Sequence, residues 1–514
     1  MAGGAITLCV FSSSAMAAGG ALWFADARPV PQAHQAIALL ADAASQGLEP
    51  QDYNASALQQ AIGQAAQGAA PEPMAVARLE TALTTALERY LSDVHTGRID
   101  PQRIHHNYQA PRSDGFEPAA YLRAAVQDQR LAEAAREAES GLPLYARLRE
   151  ALGQYRERAG HPAWQQALPP LPGGKLAPGQ AYAGLAMLGQ RLAVLRDLSP
   201  DTPIPPRYEG LLVDAVQAFQ LRHGLAADGV IGKATLAQLQ VTPAARVRQI
   251  ALMLERLRWT PLTQGARMVV INIPEFVLRA YEVRDGRIHV QQEMKVFVGK
   301  SLDTRTPLFD EDMRFIEFSP YWNIPPSIAR AETVPRLRRD PGYLAREEME
   351  FVSADGSVDQ TVSAAQLNAV LAGQSRIRQR PGPKNALGDI KFVFPNHDNI
   401  YLHHTPATGL FARDRRDFSH GCIRVEQPVA LAKFVLQGMP DWTEDRIQKA
   451  MRRGESATLR LAEPLPVLIA YGTALVKQGR VFFYEDIYGL DRLLDAALRK
   501  HSASKAPDPG QGNI

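Results

Sequence analysis

The hydrophobic pattern of this chain changes period near residue 268, so no single class of secondary structure can serve both halves. Before that point apolar residues recur at helical spacing, as in 35–44 and 75–91. Clusters such as Pro71-Glu72-Pro73 and Pro169-Pro170-Leu171-Pro172-Gly173-Gly174 separate the runs. After it come β-rich runs: 268–273, 277–281, 290–298, Phe392-Val393-Phe394 and Ile400-Tyr401-Leu402. Segments 466–471 and 480–484 read as closing strands, and Asp285-Gly286 as a hairpin turn. The fold class is therefore multidomain α+β: an all-helical scaffold, a small three-helix module and a mostly-β domain. The 514 residues allow two to four domains, and 46% hydrophobic content suffices for separate cores.

The boundaries read as follows: a leader at 1–27, a helical scaffold at 28–177, the three-helix module at 178–242, a helical connector at 243–262, and the β domain at 263–495, with a disordered tail at 496–514. In the small module, Tyr182 to Leu198 reads as one helix, Leu212, Val216 and Phe219 mark the next, and Leu236 and Leu239 the last. An insertion spans about 325–385 of the β domain; a long excursion there is either a lid or an ornamental loop. The leader is apolar from Ala5 to Phe11 and ends in Ala15-Met16-Ala17, an A-x-A-like cleavage pattern without the usual basic start. It is either a cleaved signal peptide or an uncleaved membrane anchor, and either way the rest is exported. A net charge of +3 is far short of a nucleic-acid footprint, though it suits an anionic polymer as neighbour.

The chain has two cysteines, and Cys9 lies in the leader. The exported protein then holds one thiol, Cys422, and no internal disulfide. Cys422 sits in Ser419-His420-Gly421-Cys422-Ile423-Arg424-Val425, nineteen residues after His403. A free thiol titrates near about 8.5, so it needs a neighbour to take its proton; an imidazole can do this and stabilise the thiolate. Gly421 lets the backbone approach closely, and the amides around Gly421 and Cys422 suit an oxyanion. The competing readings are a small buried hydrophobe and a zinc site built from His403, His420 and Cys422. The spacing lacks the tight ligand pairs of zinc sites, and no metal or cofactor is expected. His105-His106 reads as surface or packing.

Two resemblances follow from these residues. The run Phe219-Gln220, His223-Gly224-Leu225, Asp228-Gly229, Ile231-Gly232 resembles the peptidoglycan-binding domain of cell-wall enzymes. His403 followed by Ser419-His420-Gly421-Cys422-Ile423-Arg424 resembles the signature of the L,D-transpeptidase (YkuD) catalytic domain. The module order is similar to that of the long periplasmic L,D-transpeptidases of Gram-negative bacteria. That resemblance implies a thiolate attack on a tetrapeptide stem between diaminopimelate and D-alanine, and then resolution of the thioester by a second diaminopimelate as a 3→3 cross-link. It implies Cys422 as nucleophile, His403 as general base or acid, Gly421 in the oxyanion region, and His420 and Ser419 shaping the pocket. Arg424 would meet a substrate carboxylate or brace the turn. His404 stands where the family more often has Gly or Asp, and reads as surface or second shell.

Tyr321, Trp322 and Tyr401 are candidate groove residues, with hydrophobic packing the rival for the first two. Arg413, Arg415 and Arg416 form a solvated basic loop or attract anionic stems. An amine, water or a lipoprotein could accept the acyl group. The implied partners are peptidoglycan stems and glycan, together with other cell-wall synthesis enzymes, and carbapenem-type β-lactams are expected to acylate Cys422.

Overall fold

The computed structural model describes residues 21–105, 108, 115–262, 265–300 and 304–505. The leader through residue 20, including Cys9 and the Ala15-Met16-Ala17 pattern, lies outside the described residues, as do His106 and residues 506–514. Among the described residues no helix is long and apolar enough to cross a membrane.

Helices Pro31–Ala41, Ala55–Gln67, Pro73–Thr96, Pro118–Gln127 and Leu131–Glu137 share one core. Three of them open on proline, whose fixed φ suits a first turn and whose missing N–H would be unpaired there anyway. This domain starts earlier than residue 28. Trp23 and Phe24 are buried in its core, and the Glu80 carboxylate accepts the N–H groups of Leu22, Trp23 and Phe24 at 3.1, 2.9 and 2.9 Å. It also ends sooner than residue 177, since helix Pro143–Arg158 buries its apolar face against helix Pro243–Arg258 and meets the helical domain only at its rim, where Tyr145 donates to Gln46 at 2.9 Å.

The small module begins before residue 178. Leu168 and Leu176 belong to its core, and Leu176 and Ile231 exchange backbone hydrogen bonds of 3.0 and 2.9 Å. Its helices are Leu185–Val194, Leu211–Leu221 and Lys233–Gln240. Tyr182 precedes the first helix instead of starting it, with its hydroxyl donating to the Pro169 carbonyl at 2.6 Å.

Helix Pro243–Arg258, expected as a connector, is the hub of the molecule. Its Glu255 is fully buried and accepts from the N–H groups of Arg98 and Ile99 at 2.5 and 3.1 Å and from Nη1 of Arg258 at 2.9 Å. A carboxylate survives burial only with such partners, and these ties fix the helical domain to the hub.

The β domain is built on β1 (Arg267–Asn272), β2 (Val277–Arg284), β3 (Arg287–Gly299), β4 (Phe309–Phe318), β5 (Ile390–Val393), β6 (Leu402–His403), β7 (Asp417–Ser419), β8 (Ile423–Val425) and β9 (Ala457–Ala470). The order is β7-β3-β8-β6-β5-β4-β9-β1-β2, and β2 pairs back to β3. The ring closes, so the sheet has no long free edge. Asp285 and Gly286 turn the β2–β3 hairpin with φ of 52° and 69°, the left-handed pair that a two-residue hairpin needs. β6 and β8 run parallel with Leu402 opposite Ile423 and His403 opposite Arg424, which brings the two halves of the sequence motif side by side.

Two expectations need correction, and a third gains detail. Strand Arg480–Phe483 does not close the barrel; it pairs with Ala474–Lys477 as a separate hairpin, and Phe483 donates its N–H to the Arg222 carbonyl of the small module at 2.8 Å. The tail is ordered through residue 505 in helix Leu490–Lys505, because Leu494 and Leu498 are buried in the barrel core and Asp491 and Asp495 pair with Arg256 and Arg248. The insertion is a subdomain with its own core, where strands 322–323, 349–353, 358–359 and 375–379 form a four-stranded sheet.

Candidate active site

Cys422 lies at the foot of a cleft of about 850 Å³ between the barrel and the insertion. Tyr401, His420 and Ile400 line it from the barrel, and Tyr321, Ile328 and Glu332 line it from the insertion side. The parallel register sets this geometry. Tyr401 and Cys422 each precede a paired residue of β6 and β8, so they sit together at the strand starts. Tyr401 and Cys422 both line the cleft, the nearby thiol helps burial raise the Tyr401 phenol, and the Cys422 Sγ–H donates to the Asn399 carbonyl at 3.7 Å.

His403 is buried one step deeper, 3% exposed, with its Nδ1 2.5 Å from the His404 carbonyl. Its ring centroid is 5.7 Å from that of Tyr401. Among the described residues, no hydrogen bond joins the His403 ring directly to Sγ. The resting pair is also not an ion pair. Burial, helped by the Arg424 guanidinium, pushes the imidazole down to about 3, and burial pushes the thiol up against the opposing pull of Tyr401, Lys391 and Arg424. At neutral pH both groups are uncharged.

Residues 266–442 match the family model described as the L,D-transpeptidase catalytic domain. That segment is similar to an L,D-transpeptidase catalytic domain. Residues 17–152 match the model of a scaffold domain, and 186–239 the model described as "Putative peptidoglycan binding domain". A Haemophilus influenzae protein named "Putative L,D-transpeptidase" is 32% identical over 250 residues, which are 49% of this chain and 49% of that protein. The chain thus spans about half the length of the curated relative it matches. A solved structure of Bd1075 from Bdellovibrio bacteriovorus is 12% identical, covering 46% of this chain and 56% of that one with a TM-score of 0.17, too slight a likeness to bear on the fold.

Within the transpeptidase domain, the glycine of the motif is required by its backbone. Gly421 has φ of +111°, and a Cβ there would meet Cδ1 of Ile400 at 3.2 Å. Its amide is not free for an oxyanion, because the Ser419 hydroxyl accepts from it at 3.2 Å while donating to the Cys422 carbonyl at 2.6 Å. Ser419 is buried and braces the turn, outside the cleft lining. Among the described residues neither the Cys422 nor the His420 backbone N–H has a hydrogen-bond acceptor, so both stay available at the turn. His420 lines the cleft, and its Nε2 lies 2.8 Å from Glu332 of the insertion. Arg424 is not part of the lining; it is half-buried opposite His403, and its Nε has no partner among the described residues.

Tyr321 reaches the cleft with Arg378 stacked on its ring at 4.2 Å, whereas Trp322 packs against the insertion core. His404 orients its neighbour: its carbonyl receives His403, and its Nδ1 lies 2.7 Å from Asp389. None of Arg413, Arg415 and Arg416 lines the cleft. Arg415 pairs with Asp417 at 2.8 Å, and Arg416 is buried, donating to carbonyls that include Phe276 at 3.2 Å. His105 is buried, its ring 6.2 Å from that of Trp259. Residues that no motif spacing announces complete the site: Thr306 donates to the Gly421 carbonyl at 2.7 Å, and Lys391 sits over the Tyr401 ring at 4.4 Å.

Proposed function

We propose that this chain is a periplasmic peptidoglycan transpeptidase that makes 3→3 cross-links through a thioester on Cys422. The observation that carries the reading is the one free thiol among the described residues, lining the barrel–insertion cleft beside Tyr401, one strand start away from the buried His403, inside a match to the L,D-transpeptidase domain.

A protonated thiol beside a neutral imidazole favours proton transfer during attack over a preformed thiolate. Sγ bonds to the carbonyl carbon after the diaminopimelate residue, and His403 takes the thiol proton as the site tightens around substrate. That proton is then given to the leaving nitrogen of D-alanine as the C–N bond breaks. The side-chain amine of a second stem attacks the thioester, loses its proton to His403, and releases the thiol. The Cys422 amide and the Tyr401 hydroxyl are the donors suited to the oxyanion. Arg424 helps keep His403 neutral and therefore able to accept a proton. Diaminopimelate stems and the glycan are the partners, with residues 186–239 holding the wall.

Incubating the pure chain with tetrapeptide stems and weighing the products tests this. Stem dimers lighter by one D-alanine per bond, absent with Cys422→Ala, are the expected result. Trimmed tripeptides alone would make water the acceptor and replace the transferase reading by a hydrolase. A carbapenem adduct on Cys422 is expected in the same preparation.

A further inference from the structure

Charge along the cleft is uneven. Its lining carries the cations Lys300, Arg376 and Lys391 and the carboxylates Glu332 and Asp398. Two of these are already engaged with described groups: Lys391 lies 3.1 Å from Glu317, and Glu332 lies 2.8 Å from His420. Lys300 and Arg376 are exposed and form no ion pair with any described residue.

These two cations belong to different walls. Lys300 directly follows β3, and its backbone N–H donates to the Ser419 carbonyl at 3.0 Å, which sets it beside the cysteine motif. Arg376 lies on strand Ser375–Gln379 of the insertion between the buried Ser375 and Ile377, so strand alternation turns it outward. On the same strand Arg378 is held 2.6 Å from Glu350 and stacks on Tyr321, which stiffens that wall.

We propose that Lys300 and Arg376 form a carboxylate-reading subsite, which selects peptides bearing free carboxylates close to the carbonyl that Cys422 attacks. Unpaired cations of one sign in a concave site concentrate anions there. Arginine offers a planar fork matched to a carboxylate, and lysine a mobile point charge. With one cation on the barrel and one on the insertion, an acidic peptide ties the two walls together. The identity of that peptide as a wall stem rests on the function proposed above; the anion preference does not.

Alkylation of Cys422 in the full chain separates the two. Iodoacetate and iodoacetamide both react by Sγ displacing iodide, but only the first is an anion. At low salt the iodoacetate-to-iodoacetamide rate ratio, normalised to that of glutathione, is expected to be raised about threefold to tenfold. Arg376→Gln and Lys300→Gln should each lower it, the double variant should return it to one, and about 0.5 M NaCl should do the same to the wild type. Both side chains are exposed, so an unchanged melting temperature certifies the fold. A ratio equal in wild type and double variant overturns the proposal. A second arm measures binding of a stem tetrapeptide to Cys422→Ala, with its carboxylates free or amidated. Weaker binding of the amidated form, equalised by Arg376→Gln, supports the subsite. An intact alkylation preference with no stem binding keeps the subsite and sinks the peptidoglycan reading.

Discussion

In the small module, His223 is 5% exposed, with Nδ1 2.7 Å from the Phe219 carbonyl and its ring stacked between Phe219 at 3.8 Å and Phe483 at 5.8 Å. In the barrel, His420 lines an open cleft and reaches across it to Glu332. Each is followed by a glycine with positive φ, Gly224 at 64° and Gly421 at 111°. In both places the dipeptide makes a sharp turn; its surroundings decide whether the ring is a packing unit or a polar tool. Burial and the nearby Arg222 and Arg246 guanidiniums push the His223 imidazole well below its ordinary range, so it serves as a neutral aromatic. A His-Gly step by itself therefore says little about chemistry.

The contrast makes predictions of decreasing size. Cys422→Ala should cut cross-linking at least about 10³-fold while leaving the melting temperature near wild type. His403→Gln should cost about 10²- to 10⁴-fold in turnover. It also carries a pH signature. The folded imidazole titrates at about 3, against about 6.5 in the unfolded chain, so the unfolded state binds the extra proton between those values. Stability is then lost as pH falls through that window, by up to about 1.4 kcal/mol per pH unit from this group, and the slope in urea midpoints should flatten in His403→Gln.

On the packing side, His223→Ala should cost about 2–4 kcal/mol in urea unfolding yet leave the alkylation rate of Cys422 unchanged. A slowed alkylation would break the comparison by making His223 part of the site. Glu332→Gln should do least. Its bridge to His420 is half-exposed, worth about 1 kcal/mol or less, and should appear as a KM change of a few-fold with kcat nearly constant.

The change of period near residue 268, the Asp285-Gly286 turn and the pairing of His403 with the Cys422 motif were legible in the chain, because each rests on local spacing. Partners distant in sequence were not. Thr306 and Glu332 touch the motif, and Asp389 touches His404, through tertiary contacts that no periodicity encodes. The spacing sets the strands side by side without fixing which side chains meet; the register places His403 opposite Arg424 and leaves Tyr401 and Cys422 at the strand starts. The Gly421 amide was misjudged because Ser419, two residues earlier, already occupies it. Strand 480–483 was recognised as a strand and given the wrong neighbour, since β-patterning reports a pleated, half-buried surface without saying what covers it. Trp23 and Phe24 looked like the end of a leader because their burial depends on a helix more than fifty residues later.

The insertion leaves β4 just beyond Phe318 and returns at Ile390 of β5, and those two residues are opposite each other in the barrel. Its two attachment points are therefore one strand spacing apart, about 4.8 Å. A cassette hung on neighbouring strand ends can be lengthened, trimmed or exchanged while every ladder bond beneath it stays as it is. Selection on which peptide enters can then act on one wall of the cleft without touching the sulfur at its foot.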